Sequence, residues 1–518
     1  MENMLTHLVS NAYDQQFDSA YQLFMNYHQG LNKFHKNESE AEKFFNLAIK
    51  LYEKDLFLSN MEISNYKIIT NLKINFDKEL TIIIGNNGVG KTSILNAIRK
   101  HIMWIAASIR KDNASGGTIS PDEINNKSSD NNNGAYIDCA FNIGSKNTVR
   151  GRIARVKDTS TIPLKSELTN YREIGQKIRD LNEYRDTNFP LFAFYGIDRL
   201  SSKKNLSSDL VFNKVDGYEE SLNKVSNFNI FLEWLIQILK MSEGILSEQQ
   251  EYLLHDLKAL ELGGANNSSS PLHPMYLKLK KSFEDQTSQQ FNHNTNKLLE
   301  IINSVYRQIY QDFIRLELVN NDDGKDKVRM VLKDDSLFLH QLSDGQRVFL
   351  GMIGDIARRL ILLNDSSDNP LMGQGIIIID EVELHLHPKW QQKIIGVLRK
   401  CFPNIQFIVS THSPQILGEV ESKHLRILTL QDTREIKVTI PEQSYGLTSS
   451  EIVEELMGGN GRNQDIKKKI DHIFKLIDQE NLVEAENKIE ELQSELNGEI
   501  PELIEAKKLN SYDEIIKC

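Results

Sequence analysis

The sequence predicts an α/β fold in which a sheet of buried strands is interrupted by a block of helices, with an N-terminal helix pair in front and a C-terminal αα-hairpin behind. Three observations predict it. Leu80–Ile84 (apolar but for Thr81), Gly375–Asp380 with its four successive isoleucines, and Gln406–Ser410 read as short buried strands. The first ends in a glycine-rich turn, and an amphipathic helix follows from Lys91 with Ile94, Leu95, Ile98 and Ile102 on one face. Residues 220–313 carry helical stripes instead, at Phe228–Lys240 and through Leu298, Leu299, Ile301, Ile302, Val305, Tyr306 and Ile309.

Bulk composition narrows the class. A chain of 518 residues is too long for one compact core, so several domains or a core with large insertions are expected. Hydrophobic residues make up 40% and charged ones 26%, as in soluble globular proteins. No apolar run approaches the roughly 20 residues of a membrane helix, and Met1–Ser10 lacks the pattern of a secretory signal. Cys139, Cys401 and Cys518 form neither a zinc spacing nor a disulfide framework, which points to a reducing cytoplasm. The net charge of −11 argues against a surface that coats nucleic acid. The small cluster Lys278, Lys280 and Lys281 reads as a solvated helix face.

Along the chain, residues 1–56 form a helical docking element. One stripe runs through Phe17, Ala20, Tyr21, Phe24 and Met25, a second through Ala41, Phe44, Phe45, Ala48, Ile49 and Tyr52. They resemble one helix pair of a tetratricopeptide-like repeat, too few for a solenoid. Residues 57–219 form the first core lobe, opening with loosely alternating strands at Phe57–Ile69 and Leu72–Phe76. Within this lobe Asp112–Gly134 is a polar insertion. The helical insertion, 220–313, is broken by the polar loop Gly263–Ser270. The second core lobe, 314–455, begins with strands at Ile314–Leu318 and Val328–Leu332. Residues 456–518 carry stripes through Ile466, Ile470, Ile473, Phe474 and Ile477 and through Leu482, Ala485, Ile489, Leu492 and Leu496, with a turn at Asp478–Asn481.

Four motifs carry chemistry. Gly85-Asn86-Asn87-Gly88-Val89-Gly90-Lys91-Thr92, followed by Ser93, fits G-x-x-x-x-G-K-[ST] between a buried strand and a helix. Its glycines let backbone N–H groups turn onto a polyphosphate, Lys91 bridges phosphates, and the Thr92 hydroxyl suits Mg²⁺. Asp380 and Glu381 close a buried strand, where two adjacent acids repel unless a cation or polarised water is present. Asp380 suits Mg²⁺ through a water, and Glu381 suits a general base. Leu342-Ser343-Asp344-Gly345-Gln346 opens a helix, with Ser343 as N-cap and N–H groups that can take phosphate. His412 follows the strand ending at Ser410, placed to hydrogen-bond a γ-phosphate; a lone histidine is more often structural, and the order of the motifs reverses that reading here.

In this order the motifs resemble an ABC-type ATPase of the branch that holds structural-maintenance-of-chromosomes, Rad-fifty-like and RecF-like proteins. The resemblance covers about 57–455. It implies a Walker A loop at Gly85–Thr92, a signature at Leu342–Gln346, a Walker B strand ending at Asp380 with catalytic Glu381, a D-loop near His385–Pro388, and the switch histidine His412. It also implies ATP and Mg²⁺, and a homodimer or higher homo-oligomer in which Ser343, Gly345 and Gln346 of one copy face Lys91 of another. Asp344 stands where transporter members carry glycine, which argues against a transporter reading, and no membrane segment supports one. The Q-loop has no assignable glutamine; the strand end Tyr195-Gly196, with Arg199 nearby, is its expected place.

A narrower resemblance is to the PtuA ATPases of Septu anti-phage systems, including the retron-associated ones, on the helical N-terminus, Phe194-Tyr195-Gly196, the run Asp380–Pro388 and the helical tail. It implies a partner HNH nuclease and, in retron versions, a reverse transcriptase with its multicopy single-stranded DNA. His385, His387 and Glu383 invite a metal reading, but zinc needs three or four well-placed ligands, and the resemblance makes them D-loop residues. Two other readings stay open: a DNA-repair or chromosome-tethering ATPase that binds DNA directly, and a scaffold that binds ATP and barely hydrolyses it.

Overall fold

The computed structural model describes residues 2–125, 134–157, 164–198, 213–223, 228–243, 248–288, 291–320, 326–431 and 435–517. Arg199 and part of the 112–134 insertion lie outside them. The chain divides into two compact units, Met1–Ile416 with Glu421–Glu442, and Leu417–Val420 with Gln443–Cys518.

The first unit opens with three helices, α1 (Glu2–Tyr13), α2 (Phe17–Gln29) and α3 (Glu38–Tyr52). Both expected stripes fold as α2 and α3, and α1 is an addition to the expected pair. Tyr13 at its end lies 6.3 Å from the Phe44 ring of α3. The stripes of α2 and α3 meet Tyr184 at the end of a later helix. Phe24 and Phe45 lie 5.0 and 4.8 Å from its ring, an aromatic cluster that seats the helices on the core.

Two sheets follow. Strands β1 (Leu56–Tyr66), β2 (Ile69–Asn75), β4 (Gly134–Ile143) and β5 (Thr148–Val156) form an antiparallel sheet in the order β2-β1-β4-β5. Strand β3 (Leu80–Gly85) leaves it to join a second sheet, followed by α4 (Lys91–Arg110), α5 (Thr169–Tyr184) and β6 (Leu191–Tyr195). The sheets are tied by Gln406, which is 1% exposed. Its side chain accepts from Leu58 N at 2.7 Å and donates to the carbonyls of Leu58 and Asp77.

The helical block comprises α6 (Phe228–Ser242), α7 (Glu248–Leu262), α8 (His273–Ser288) and α9 (Phe291–Ile309). Helices α7 and α8 close a small core of Leu257, Ala265 and Tyr276. A three-stranded sheet follows, β7 (Phe313–Asn320), β8 (Asp326–Leu332) and β9 (Ser336–Phe338), and then α10 (Asp344–Leu363), against which α6 and α9 pack. The rest of the unit is β10 (Gly375–Ile379), α11 (Pro388–Cys401), β11 (Ile405–Ser410), α12 (Pro414–Leu417), β12 (Leu425–Leu430) and β13 (Ile436–Thr439).

The second sheet runs β13-β12-β3-β11-β10-β6, parallel except at β13. Strands β6, β10 and β11 are buried throughout, as strands covered on both faces must be. Pairing of Ile379 with both Val409 and Tyr195, and of Ser410 with Ile83, brings four strand ends to one edge. Ligands of parallel sheets gather at that edge.

The second unit holds α13 (Ser449–Glu455), α14 (Gln464–Asp478), α15 (Leu482–Leu496) and α16 (Pro501–Lys517). The expected hairpin is α14 and α15, and α16 is added to it. Ile470, Ile473, Ile489 and Leu492 need a third surface, and Leu503 and Ala506 of α16 supply it, both nearly inaccessible.

Candidate nucleotide site

The loop from β3 to α4 turns through positive φ at Gly88 (79°) and Gly90 (107°), values open to glycine and strained for other residues. Gly90 is the N-cap of α4, so Lys91, Thr92 and Ser93 form the helix's first turn with its orphan N–H groups. Lys91 is 7% exposed, and its ammonium donates to the carbonyls of Gly85 (2.7 Å) and Asn86 (3.2 Å). Burial pulls its pKa down; the carboxylates of Asp380, Glu381 and Glu383 oppose that shift. The lysine loop and the acidic strand end thus lie at the same edge of the sheet, within electrostatic reach of one another.

Asp380, 2% exposed, follows β10, and its N–H donates to Tyr195 O at 2.8 Å. Ser410, at the end of β11, donates its hydroxyl to Asp380 Oδ1 at 2.5 Å and accepts from Glu381 N at 2.8 Å. Glu381 adopts φ 49°, a left-handed turn that ends the strand. Glu383 grips the next turn: it accepts from Thr411 Oγ1 at 2.8 Å and from His412 N at 2.5 Å. His412 is thus held through its backbone beside the acids, half-buried. Thr92, exposed on the first turn of α4, and Asp380 offer oxygen donors, the set that Mg²⁺ takes.

Ser343 caps α10 in a reciprocal box with Gln346: the Ser343 N–H donates to Gln346 Oε1 at 3.1 Å and Gln346 N donates to Ser343 Oγ at 3.4 Å. Ser343 is exposed, while Gly345 is buried. A Cβ on Gly345 would overlap the His385 carbonyl oxygen, so this helix start packs on the 385 turn, where His385 itself has φ 65°. The hydrogen bonds of Ser343 with Gln346 stay at the start of α10 and do not reach the phosphate loop. Glu383, His385 and His387 do not converge on a metal: Glu383 is spent on residues 411–412, and His387 Nδ1 accepts from Lys389 N as the N-cap of α11.

Sequence reasoning missed Ser410 as a site residue and took Glu383 only as part of the D-loop run. Their partners lie about thirty positions away, so the one available signal was the polar run Ser410-Thr411-His412 closing an apolar strand. A second missed feature lies beneath the strand ends. Asp355, Arg358 and Arg359 of α10 are 3–4% exposed; Asp355 accepts from both arginines and from the Tyr195 hydroxyl at 2.9 Å. Arg359 also donates to the carbonyls of Gly217 and Glu219, and Arg99 of α4 to that of Leu222, so residues 217–222 are clasped from both helices.

The model of the AAA ATPase domain family matches residues 57–417. The chain is similar to the Retron Vc95 probable ATPase of Vibrio cholerae serotype O1 biovar El Tor, 29% identical over 76% of this chain and 77% of that one. It is also similar to the Retron Ec83 probable ATPase of Escherichia coli, 28% identical over 88% and 86%. The Septu protein PtuA of Bacillus mycoides (strain KBAB4) is 24% identical over 87% of this chain, which spans 52% of that longer protein. No helix among the described residues is long and apolar enough to cross a membrane. With the family's model spanning both the lysine loop and the acidic strand end, the chain belongs to the AAA ATPase domain family and is an ATPase.

Proposed function

We propose that two copies of this chain close around ATP and Mg²⁺, as a homodimer or a higher homo-oligomer, and that this cycle controls a partner HNH nuclease in bacterial antiviral defence. Gly85–Thr92 and Ser93 wrap the polyphosphate, and Lys91 exchanges its two carbonyl partners for phosphate oxygens. Thr92 and Asp380 would hold Mg²⁺, which would neutralise charge on the transferred phosphoryl group. Glu381 takes a proton from the water that attacks the γ-phosphorus, and His412 hydrogen-bonds the γ-phosphate. The bond from the γ-phosphorus to the bridging oxygen breaks, and ADP and phosphate leave. Ser343, Gly345 and Gln346 of the second copy bring a helix N-terminus to the same phosphate, which accounts for a signature serine left exposed on the single chain.

The observation that supports this reading is that the phosphate loop after β3 and the acids after β10 meet at one edge of the sheet, with the Asp380, Glu381 and Glu383 carboxylates acting on the Lys91 ammonium. The defence role is supported by the retron and Septu relatives. The nuclease, and a reverse transcriptase with its single-stranded DNA, come from the resemblance. The test is purification with the neighbouring gene products from cells carrying wild type or Glu381→Gln. An HNH protein that co-purifies, with nuclease activity that differs between the two, is expected. Tight duplex-DNA binding by the isolated chain with no nuclease partner would favour the DNA-tethering reading instead.

A further inference from the structure

The turn that carries His412 is held at two points by the segment 383–391. Glu383 holds its first half, accepting from Thr411 Oγ1 and from the His412 N–H. Gln391, half-buried in the first turn of α11, holds its second half. The Gln391 Oε1 accepts from the Ser413 hydroxyl at 2.7 Å, and its Nε2 donates to the Leu386 carbonyl at 2.8 Å. Ser413 is 4% exposed, and its N–H donates to Thr411 Oγ1 at 3.0 Å, which braces the turn across itself.

The Gln391 amide has one workable orientation, because turning it over would set its oxygen against the Leu386 carbonyl. The Ser413 hydroxyl has a second acceptor in reach, Gln415 Oε1 at 3.0 Å. One hydrogen serves one acceptor at a time, and the Gln415 amide, tied by no other bond among the described residues, can turn over and donate to that hydroxyl instead. Gln391 is therefore the fixed partner of Ser413.

Gln391 is in turn placed by the signature helix. Its neighbour Trp390 sits between Tyr310, just past the end of α9, and Phe349 of α10, with ring centroids 5.3 and 5.2 Å away. The Leu386 carbonyl that Gln391 grips adjoins His385, whose own carbonyl meets Gly345 at the start of α10. A side chain carried on a packed helix and bonded through both of its polar atoms keeps its partner in place more closely than a loop residue does.

We propose that Gln391 is a positioning residue for ATP hydrolysis: through Ser413 it sets where the His412 ring meets the γ-phosphate, and it ties that ring to the signature helix. It acts through its neighbours and not on the nucleotide. The proposal rests on the role given to His412 above.

Gln391→Met keeps the length of the side chain and removes both bonds; Ser413→Ala removes the donor alone. Single-turnover hydrolysis at saturating ATP, affinity for ATP and the unfolding midpoint are measured on each, on the two combined and on His412→Ala. Each of the first two is expected to slow hydrolysis about tenfold, with affinity and midpoint near wild type. The two combined should be no slower than the slower single variant, because both cut one bond. Added to His412→Ala, Gln391→Met should change the rate less than about twofold. A lowered midpoint together with a further loss of about tenfold in the His412→Ala background would make Gln391 a structural support and overturn the proposal. Wild-type hydrolysis by Gln391→Met and Ser413→Ala, beside a slow His412→Ala, overturns it too and leaves the role of His412 standing. Wild-type hydrolysis by His412→Ala removes that role, and this inference with it. Ser413→Ala, the smaller change, decides the matter if Gln391→Met fails to fold.

Discussion

Ser410 donates its hydroxyl to Asp380 across 2.5 Å, locking the end of β11 to the end of β10. The same oxygen accepts the N–H of Glu381, so one hydroxyl sets the position of both acids. Ser410→Ala removes a hydrogen bond to a charged group, worth about 1.5–3 kcal/mol. Turnover is expected to fall on the order of ten- to a hundredfold, while affinity for ATP, carried by the loop, changes little. Steady-state hydrolysis and equilibrium binding measured together check this; an equal loss in both would remove Ser410 from its positioning role.

Gly345 is the point at which the signature helix touches the 385 turn. Any side chain there pushes α10 and the His385 carbonyl apart. A displacement of about 1 Å in a catalytic arrangement can cost on the order of a hundredfold. Gly345→Ala is expected to lose hydrolysis on that scale and to weaken ATP-dependent dimerisation, with nucleotide binding by the single chain intact. Sedimentation with and without ATP reads the dimer. Wild-type dimerisation with wild-type turnover would show that the contact is idle.

These two cases mark what the sequence could and could not reveal. Gly85–Thr92 was legible because a phosphate loop is local: glycines, lysine and threonine act within eight consecutive residues. Asp380 and Glu381 were legible because a run of isoleucines announces a buried strand and acids at its end need a reason. Ser410 was not, because its role exists only once β11 inserts between β3 and β10, a pairing that no local pattern encodes. Nothing in the local sequence sets Asp355, Arg358 and Arg359 apart from other charged residues on a helix. Only the packing of α10 against Tyr195 and residues 217–219 makes them a buried network. Helices α1 and α16 escaped notice because they complete clusters that the stronger stripes of their neighbours define.

Stability is expected to fall in mild acid because of His101. The ring is fully buried; Nε2 lies 3.1 Å from Ile137 O and Nδ1 2.7 Å from the Tyr171 hydroxyl. A carbonyl only accepts, so Nε2 carries the hydrogen and Nδ1 accepts from tyrosine, a neutral tautomer. Burial pushes the pKa down to about 3 from 6.5, against the opposing effect of the Ile137 carbonyl. Between those values the unfolded chain binds a proton that the folded chain does not. The stabilisation is therefore whole above pH 6.5 and shrinks as pH falls toward 3, by about 1.4 kcal/mol per unit. Unfolding midpoints from pH 7 to 5 should drop, and His101→Gln, less stable at pH 7, should show a shallower slope. An unchanged slope would assign the acid sensitivity elsewhere.

The buried network of α10 gives the last prediction. Burial raises the Asp355 carboxyl, but Arg359 and Arg358 outweigh it and hold its pKa below the usual carboxylate value. Two guanidiniums thus depend on one carboxylate that is itself out of water. Asp355→Ala strands both charges and is expected to cost about 3–5 kcal/mol. Replacing all three residues with apolar ones of similar volume removes the desolvation cost together with the attraction, and is expected to restore most of that stability. The triple variant still loses the clasp on residues 217–219, so it should fold yet hydrolyse ATP poorly. Denaturation and turnover measured on both variants separate the roles. Recovery of turnover along with stability in the triple variant would reduce the network to a structural support, whereas stability without turnover would make it a coupling between the signature helix and the strand that ends beside Asp380.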